Sequence, residues 1–431
     1  MKIIWATPYS EHSAIARYSQ AVVTELRGRG HHVAIYRTEV GADAELPPRE
    51  NACVLVHGSE EEHHWLHEAD LVIANVGDHF AYHGGLFELA QKRPYVAVLH
   101  DWCVLNFFWG WLLANHRSHH AARLITGMYG EKAGELCATA TWENLLERAT
   151  QHFPLTEWIT SDTLGCIIHS EFYGERVRNS CAGPVHKLSL AYPVEAFDLD
   201  SRAVTPAGGP LAVRTFGMVN PNKRIDRVIR ALARDPALAA RTDYRVLGPV
   251  DDGERRRLEQ VCSEVGFTGL TFEGRVSNER LHEGMAEADV ICCLRDPALE
   301  GASASAIEGM QSGAPVIVSD AGFYAELPDE YVLKVGTHEP EGALLGHLQF
   351  VDREREHARR IGLAAAAWAA REFSASNYVD GLEQVIPGFI AAEPYLFNAQ
   401  ELGRELGRMG LPGNSKAAAN VTNTLERMFS L

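Results

Sequence analysis

The segment LEGASASAIEGMQSGAPVIVSDAG, Leu299 to Gly322, sets two carboxylates, Glu300 and Glu308, on either side of small residues and just ahead of a glycine, a proline and an apolar run. Side chains of this type at this spacing allow two readings: acids that take part in chemistry, or a capped helix and a buried strand. Ser305-Ala-Ile-Glu308 matches the S-x-x-E capping box, in which the serine bonds the N3 amide and the glutamate reaches back to the cap. Gly313 then closes the helix, Pro315 follows as a breaker, and PVIVS is the next buried strand. Glu300 is poorly explained in that way. It stands in a loop after a strand ending near Leu294, before a free helix N-terminus. There glycine, alanine and serine let backbone amides approach a phosphate, while the acid can accept hydrogen bonds from sugar hydroxyls.

The elements that would position such a loop follow from the alternation of the chain. KIIWAT is an apolar run, PYSEHS a polar loop, and AIARYSQAVVTELRGRG has helical spacing at Ile15, Tyr18, Val22 and Leu26 before Gly30; HVAIYR, ADLVIANV and RPYVAVLHD continue the pattern. Strand, loop, helix, strand in this order predicts a parallel sheet covered by helices on both faces. Ligands of such sheets sit beyond the carboxyl ends of the strands, which singles out the loops Pro8 to Ser13, Asn75 to His79 and His100 to Trp102. A mostly helical stretch from about Leu105 to Asp162 precedes one more strand, LGCIIHS. PVEAFDLDSRAVTPAGGP, Pro193 to Pro210, reads as a linker. The alternation restarts at LAVRTFGMV and turns helical from about Pro340 to the end.

Two α/β domains also suit the 431 residues, more than one hydrophobic core usually serves. Their predicted extents are 1–192 and 211–372, joined by a linker at 193–210, with C-terminal helices at 373–431 crossing back onto the first domain. A net charge of -17 argues against sequence-independent attachment to nucleic acid, and the eight cysteines lie without a C-x-x-C. Neither a zinc ribbon nor a disulfide framework is suggested, and a reducing cytoplasm fits, with the inner face of the membrane as a second expectation. The aromatic stretch WCVLNFFWGWLLAN, Trp102 to Asn115, is too short to span a bilayer. It reads by default as core, with stacking on a sugar or holding of a lipid chain as alternatives.

The residues then carry a resemblance. Glu300 and Glu308 form an E-x7-E element followed by GMQSGAPVIVSDAG, which resembles the donor-site signature of the family 4 retaining glycosyltransferases. FGMVNPNKRIDRVIRAL from Phe216 and FEGRVSNERLHEGMAEADVIC resemble two further donor-side blocks; GRGHHVAIYR, VAVLHDW and LGCIIHSEF resemble blocks of the N-terminal half. The resemblance implies the GT-B architecture: two Rossmann-like domains facing across a cleft, the first binding the acceptor and the second a nucleotide-activated sugar. It implies transfer with retention and without a metal or other cofactor, to a glycan, a lipid-linked or a small-molecule acceptor. By the same resemblance Lys223 would pair with the donor diphosphate, Glu308 with the ribose and Glu300 with hydroxyls of the transferred sugar. The amides of Gly301, Ala302 and Ser303 would face the phosphate, His100 would reach the sugar, and Gly217 and Arg275 belong to the matching donor-side blocks.

The departures are specific. Met218 stands where the family has an arginine, so one diphosphate-binding cation is missing unless Arg224 compensates, and the N-terminal loop carries His12 and Ser13 where the family is glycine-rich. Asp78 and His79, after a strand end, are candidates for acceptor contact, and Asp101 is a partner of His100 or of the adjoining strand, or a base. His116 to His120 has helical spacing but no third acidic metal ligand, and the D-x-D at Asp198 to Asp200 falls in the linker. Two alternatives remain: a nucleotide-sugar isomerase or hydrolase of the same architecture, and a non-catalytic nucleotide-sugar-binding protein.

Overall fold

The computed structural model describes residues 1–11, 13–49, 53–192, 197–199, 206, 208–336, 338–411 and 415–429. The chain divides into two units, Met1–Ala191 with Ala375–Leu431, and Tyr192–Ser374.

In the first unit β1 (Lys2–Thr7), β2 (His32–Arg37), β3 (Leu71–Val76), β4 (Val96–Leu99), β5 (Gly165–Ile168) and β6 (Val185–Lys187) form one sheet in the order β2-β1-β3-β4-β5-β6. Every pairing is parallel. β3 is buried at each of its six positions, as a strand covered on both faces must be. The helix Ala14–Gly28 starts at Ser13, whose Oγ accepts from the Ala16 amide at 3.3 Å, and it buries Tyr18, Val22 and Leu26 toward the sheet. The aromatic stretch is core in part: Phe107 and Phe108 are fully enclosed, with Phe107 stacked 5.3 Å from Phe87 and Phe108 edge-on to Trp158 at 5.1 Å, while Trp102, Trp109 and Trp111 are half-buried and Leu113 is exposed.

The long helix Ala375–Arg408 belongs to this unit. Its start lies against the end of Ala14–Gly28, where Arg29 Nη1 reaches Asp380 at 2.5 Å and Glu383 at 3.0 Å, and Tyr378 meets the edge of Tyr18 at 5.5 Å. Two prolines, Pro387 and Pro394, lie inside it. Among the described residues no helix is long and apolar enough to cross a membrane.

The second unit holds β7 (Leu211–Phe216), β8 (Thr242–Leu247), β9 (Leu270–Gly274), β10 (Val290–Cys293), β11 (Val316–Ser319) and β12 (Leu333–Val335), again all parallel, in the order β12-β11-β10-β7-β8-β9. The helices Pro340–Arg353 and Arg355–Glu372 close it, and Asp352 ties them to the approach to β8 by accepting from Arg355 at 3.0 Å and from both terminal nitrogens of Arg241, the residue before that strand. The direction of strand addition reverses between β1 and β3 in the first sheet and between β7 and β10 in the second. These switch points open a crevice at the carboxyl ends of the strands, where doubly wound sheets bind ligands.

Candidate active site

At the second switch point β7 ends on Phe216 and the backbone turns at Gly217 with φ +80. A Cβ there would lie 3.0 Å from Lys223 Nζ and 3.6 Å from Ser305 Oγ, so only glycine leaves this corner open. Lys223 ends the turn Pro221–Lys223 and is only 6% exposed, with its amine donating to the Phe216 carbonyl. Burial, and then the charge of Arg295, push its amine down to about 7.

On the neighbouring strand end, Arg295 is buried and held at three points. Its amide donates to Ser319 Oγ at 2.9 Å, Nη1 to the Leu294 carbonyl at 2.8 Å and Nε to Glu300 Oε1 at 2.9 Å. Tyr324 donates to the same Glu300 oxygen at 2.6 Å, and the Leu299 amide to the other at 3.3 Å. Burial alone would raise the Glu300 carboxyl, but the Arg295 charge and the Tyr324 hydroxyl outweigh it and bring the group below the usual range. Gly301, Ala302 and Ser303 follow, all buried, leading into the helix Ala304–Gln311.

The capping-box reading of Ser305 and Glu308 is corrected here. The cap is Ser303, extended at φ -103 and ψ 107, with its Oγ accepting from the Ala306 amide at 3.3 Å. Ser305 is already within the first helical turn, so Glu308 lies beyond the N3 position and cannot close a box. Its carboxylate instead accepts from the Tyr192 hydroxyl at 2.9 Å. Met218 is 65% exposed, and Arg224 is paired with Asp226 at 3.2 Å and Asp296 at 3.0 Å. Arg275 is exposed at the end of the edge strand β9. The second unit thus brings together Gly217, Lys223, Glu300, Gly301, Ala302, Ser303 and Glu308, and adds Arg295, which the sequence reading missed. An arginine directly after the apolar run DVICCL, at a central strand's carboxyl end, was the available signal.

At the first switch point, Asn75 is buried near the carboxyl end of β3, donating from Nδ2 to the Ala6 carbonyl at 3.0 Å. Its Oδ1 therefore accepts from His100 Nε2 at 3.0 Å, which leaves Nδ1 of that ring as an acceptor. Burial, with His169 and His83 nearby, pushes His100 well below the usual range, so the ring is neutral. His83 donates from Nδ1 to the Asn75 carbonyl at 3.0 Å, and burial pushes it down to about 3. Gly77 is close-fitted: a Cβ there would meet His83 Nε2 at 2.8 Å and Asp101 Oδ2 at 3.3 Å.

Asp101 accepts from the Asp78 amide at 2.9 Å, on the adjoining strand's loop. Asp78 is itself engaged at both oxygens, by the Phe107 amide at 2.9 Å and Asn106 Nδ2 at 2.7 Å, at the start of the helix Leu105–Ala114. Burial first, then the Asp101 charge, push its carboxyl up to about 8. His79 is exposed beside Tyr82, Ser13 is spent on its helix cap, and His12 lies outside the described residues. Among the described residues no group of three or more His, Cys, Asp or Glu side chains could hold a metal ion, and His116 to His120 form no such group.

Residues 199–368 match the model of the family described as glycosyl transferases group 1. No curated protein matches the sequence. Among solved structures, HepE of Anabaena in complex with UDP and glucose superposes with a TM-score of 0.58 at 17% identity, covering 90% of this chain and 99% of that one. Sucrose-phosphate synthase of Thermosynechococcus elongatus gives 0.59 at 17% identity, covering 91% and 100%. WaaG, a glycosyltransferase involved in lipopolysaccharide biosynthesis, gives 0.57 at 14% identity, covering 90% and 100%. The group 1 match over the second unit, together with the GT-B-like fold that these superpositions show, supports a glycosyltransferase.

Proposed function

We propose that the protein transfers a sugar from a nucleotide diphosphate to an acceptor hydroxyl with retention of anomeric configuration. The observation that carries this reading is the buried amine of Lys223 beside Gly217, a corner that also faces Ser305 in the helix capped by Ser303, with Glu300 in the loop before that helix and Glu308 within it. A cation, free helix amides and an open glycine corner suit a diphosphate; the two carboxylates suit the hydroxyls of sugar and ribose. The complexes of HepE with UDP and with UDP-glucose support a nucleotide sugar as donor. We place the donor in the second unit and the acceptor in the first, where His100 offers a neutral ring with Nδ1 as acceptor.

In this mechanism the bond from the anomeric carbon to the diphosphate breaks while a bond to the acceptor oxygen forms on the same face. The acceptor proton passes to the leaving phosphate oxygen. Lys223, Arg224 and the amides of Gly301 to Ser305 meet the charge that develops on the diphosphate, so we assign no metal and no cofactor to the step. Glu300 and Glu308 contact different parts of one donor and are not the acid and nucleophile of a glycosidase. The acceptor is a glycan, a lipid-linked sugar or a small molecule, and the enzyme works in the cytoplasm, at the membrane face when the acceptor is lipid-linked.

The test is a panel of nucleotide sugars incubated with the protein and cell extract, read by mass spectrometry, with Glu300→Ala in parallel. Transfer that Glu300→Ala abolishes is the expected result. Tight binding with neither transfer nor hydrolysis would support a non-catalytic binder, release of nucleotide with free sugar an isomerase or hydrolase, and full turnover by Glu300→Ala would remove Glu300 from the site.

A further inference from the structure

Arg295 is a buried guanidinium beside the donor loop, at the carboxyl end of the central strand β10, and it is 7% exposed. A buried charge is stable only when paired and hydrogen-bonded, and here Glu300 is the paired carboxylate. Close by lies a second buried basic group, Lys223: its turn is joined to the Arg295 loop by the Asp296 amide donating to the Asn222 carbonyl at 2.8 Å, and its amine stands in the field of Arg295, Cys293 and Glu300. The Cys293 thiol is the shared neighbour of the whole group, standing in the field of Arg295, Lys223, Glu300 and Glu308. Both Glu300 oxygens are already occupied, by Arg295 and Tyr324 on one side and the Leu299 amide on the other. A buried guanidinium and a buried amine beside one committed carboxylate make a place that an incoming anion suits, since the anion favours the charged form of both. Met218, pointing to solvent, adds no charge to it.

We propose that Arg295 is a positioning residue of the donor site, which locks the Glu300 carboxylate against the transferred sugar and sets the charge that Lys223 presents to a diphosphate. The proposal rests on the donor-site reading above. Arginine suits the task because its guanidinium stays charged at every working pH and its planar fork fixes an acid in one orientation. With Arg295 in place, Lys223 is partly neutral near neutral pH in the empty site and takes up a proton when the anion arrives.

The test uses the full chain with UDP, GDP and ADP as probes, and then the glucose conjugate of the one that binds tightest. Calorimetry near pH ~7.5 in two buffers of different ionisation enthalpy should show net proton uptake on nucleotide binding by the wild type. In Arg295→Met the midpoint at which affinity falls with rising pH should move up by about half a pH unit or more, because the neighbouring charge no longer depresses Lys223. In Arg295→Lys the charge remains but the fork is lost. The midpoint should stay, while affinity for the glucose conjugate falls about tenfold more than affinity for the bare nucleotide.

A merely structural arginine would lower stability and both affinities together without moving the midpoint or separating conjugate from nucleotide, and that result overturns the proposal. If Arg295→Met does not fold, the Arg295→Lys comparison and the wild-type proton uptake decide by themselves. A wild type that binds none of the three nucleotides defeats the donor-site reading itself, whereas binding without these signatures defeats only the role of Arg295.

Discussion

Replacing Lys223 by methionine should stabilise the folded protein while removing its donor affinity. The amine is 6% exposed and falls from its ordinary 10.5 to about 7 on folding, chiefly because burial penalises its charge. Between these two values the unfolded chain binds more protons than the folded one, so stability rises with pH across that window and is lowest at and below pH 7. Converted at roughly 1.4 kcal/mol for each pH unit, retaining this amine costs about 4 kcal/mol at neutral pH. Lys223→Met removes that cost and loses the hydrogen bond to the Phe216 carbonyl, which offsets about 1 to 2 kcal/mol. The net gain is about 2 kcal/mol, or an increase in Tm of about 4 to 8 °C for a unit of this size. Thermal unfolding of both proteins from neutral to alkaline pH, with nucleotide titrations on the same samples, measures both effects. The gap in stability should shrink as pH rises, close near pH ~9.5 and reverse as pH approaches 10.5, and nucleotide affinity should drop by about a hundredfold or more in the variant at neutral pH. A variant that is less stable than the wild type at neutral pH, with a gap indifferent to pH, would refute the reasoning and make Lys223 a structural residue.

Three further outcomes are expected. Gly217→Ala forces a Cβ into a backbone at φ +80 and to within 3.0 Å of Lys223 Nζ. It should cost about 1 to 2 kcal/mol of stability and raise the donor KM, visible in a melting curve and a donor titration. Asp78→Asn tests the carboxyl that burial and Asp101 push up to about 8. A folded pKa raised above its unfolded value stabilises at low pH and is lost as pH rises through about 8, so the asparagine variant should gain on the wild type between acidic and mildly alkaline pH in chemical denaturation. Tyr192→Phe deletes the hydroxyl that donates to Glu308 at 2.9 Å. It should cost about 1 kcal/mol and weaken binding of a nucleoside diphosphate more than of its 2′,3′-dideoxy analogue; equal weakening would detach Glu308 from the ribose.

Much of the second unit was legible because its strands are apolar runs closed by turn residues. LAVRTF, YRVL and VICC announce β7, β8 and β10, and with them the loops that carry Lys223 and Glu300. The three-residue strands β6 and β12 were not legible, since VHK and LKV are half-exposed edge strands without a sustained apolar run. The cap was misplaced by two residues because Ser303 and Ser305 are chemically equal as caps. The extended backbone at Ser303, a property of the loop's packing, decides between them. Arg295 escaped because a charge ending an apolar run ordinarily marks the strand's exit to solvent. Only the fold shows that this exit lies in the middle of a sheet, with a carboxylate five residues on turned back against it. In the first unit the likeness of LHD to a catalytic element drew attention to His100. That its partner would be Asn75, one strand away, depends on the order β1-β3-β4, which no local pattern encodes.

The division of the chain has a consequence for how it is made. The first unit remains unfinished until Ala375 and the long helix after it have been synthesised, whereas the second is continuous from Tyr192 to Ser374 and can close while the ribosome is still adding the rest. The Tyr192 amide donates to the Phe373 carbonyl at 2.8 Å, so a folded second unit brings its entry and exit points side by side. A floppy insertion of that length would oppose the return of the last helix by about 5 kcal/mol in loop-closure entropy. A prefolded one behaves as a short hairpin link, which makes the second unit a staple for the assembly of the unit that brackets it.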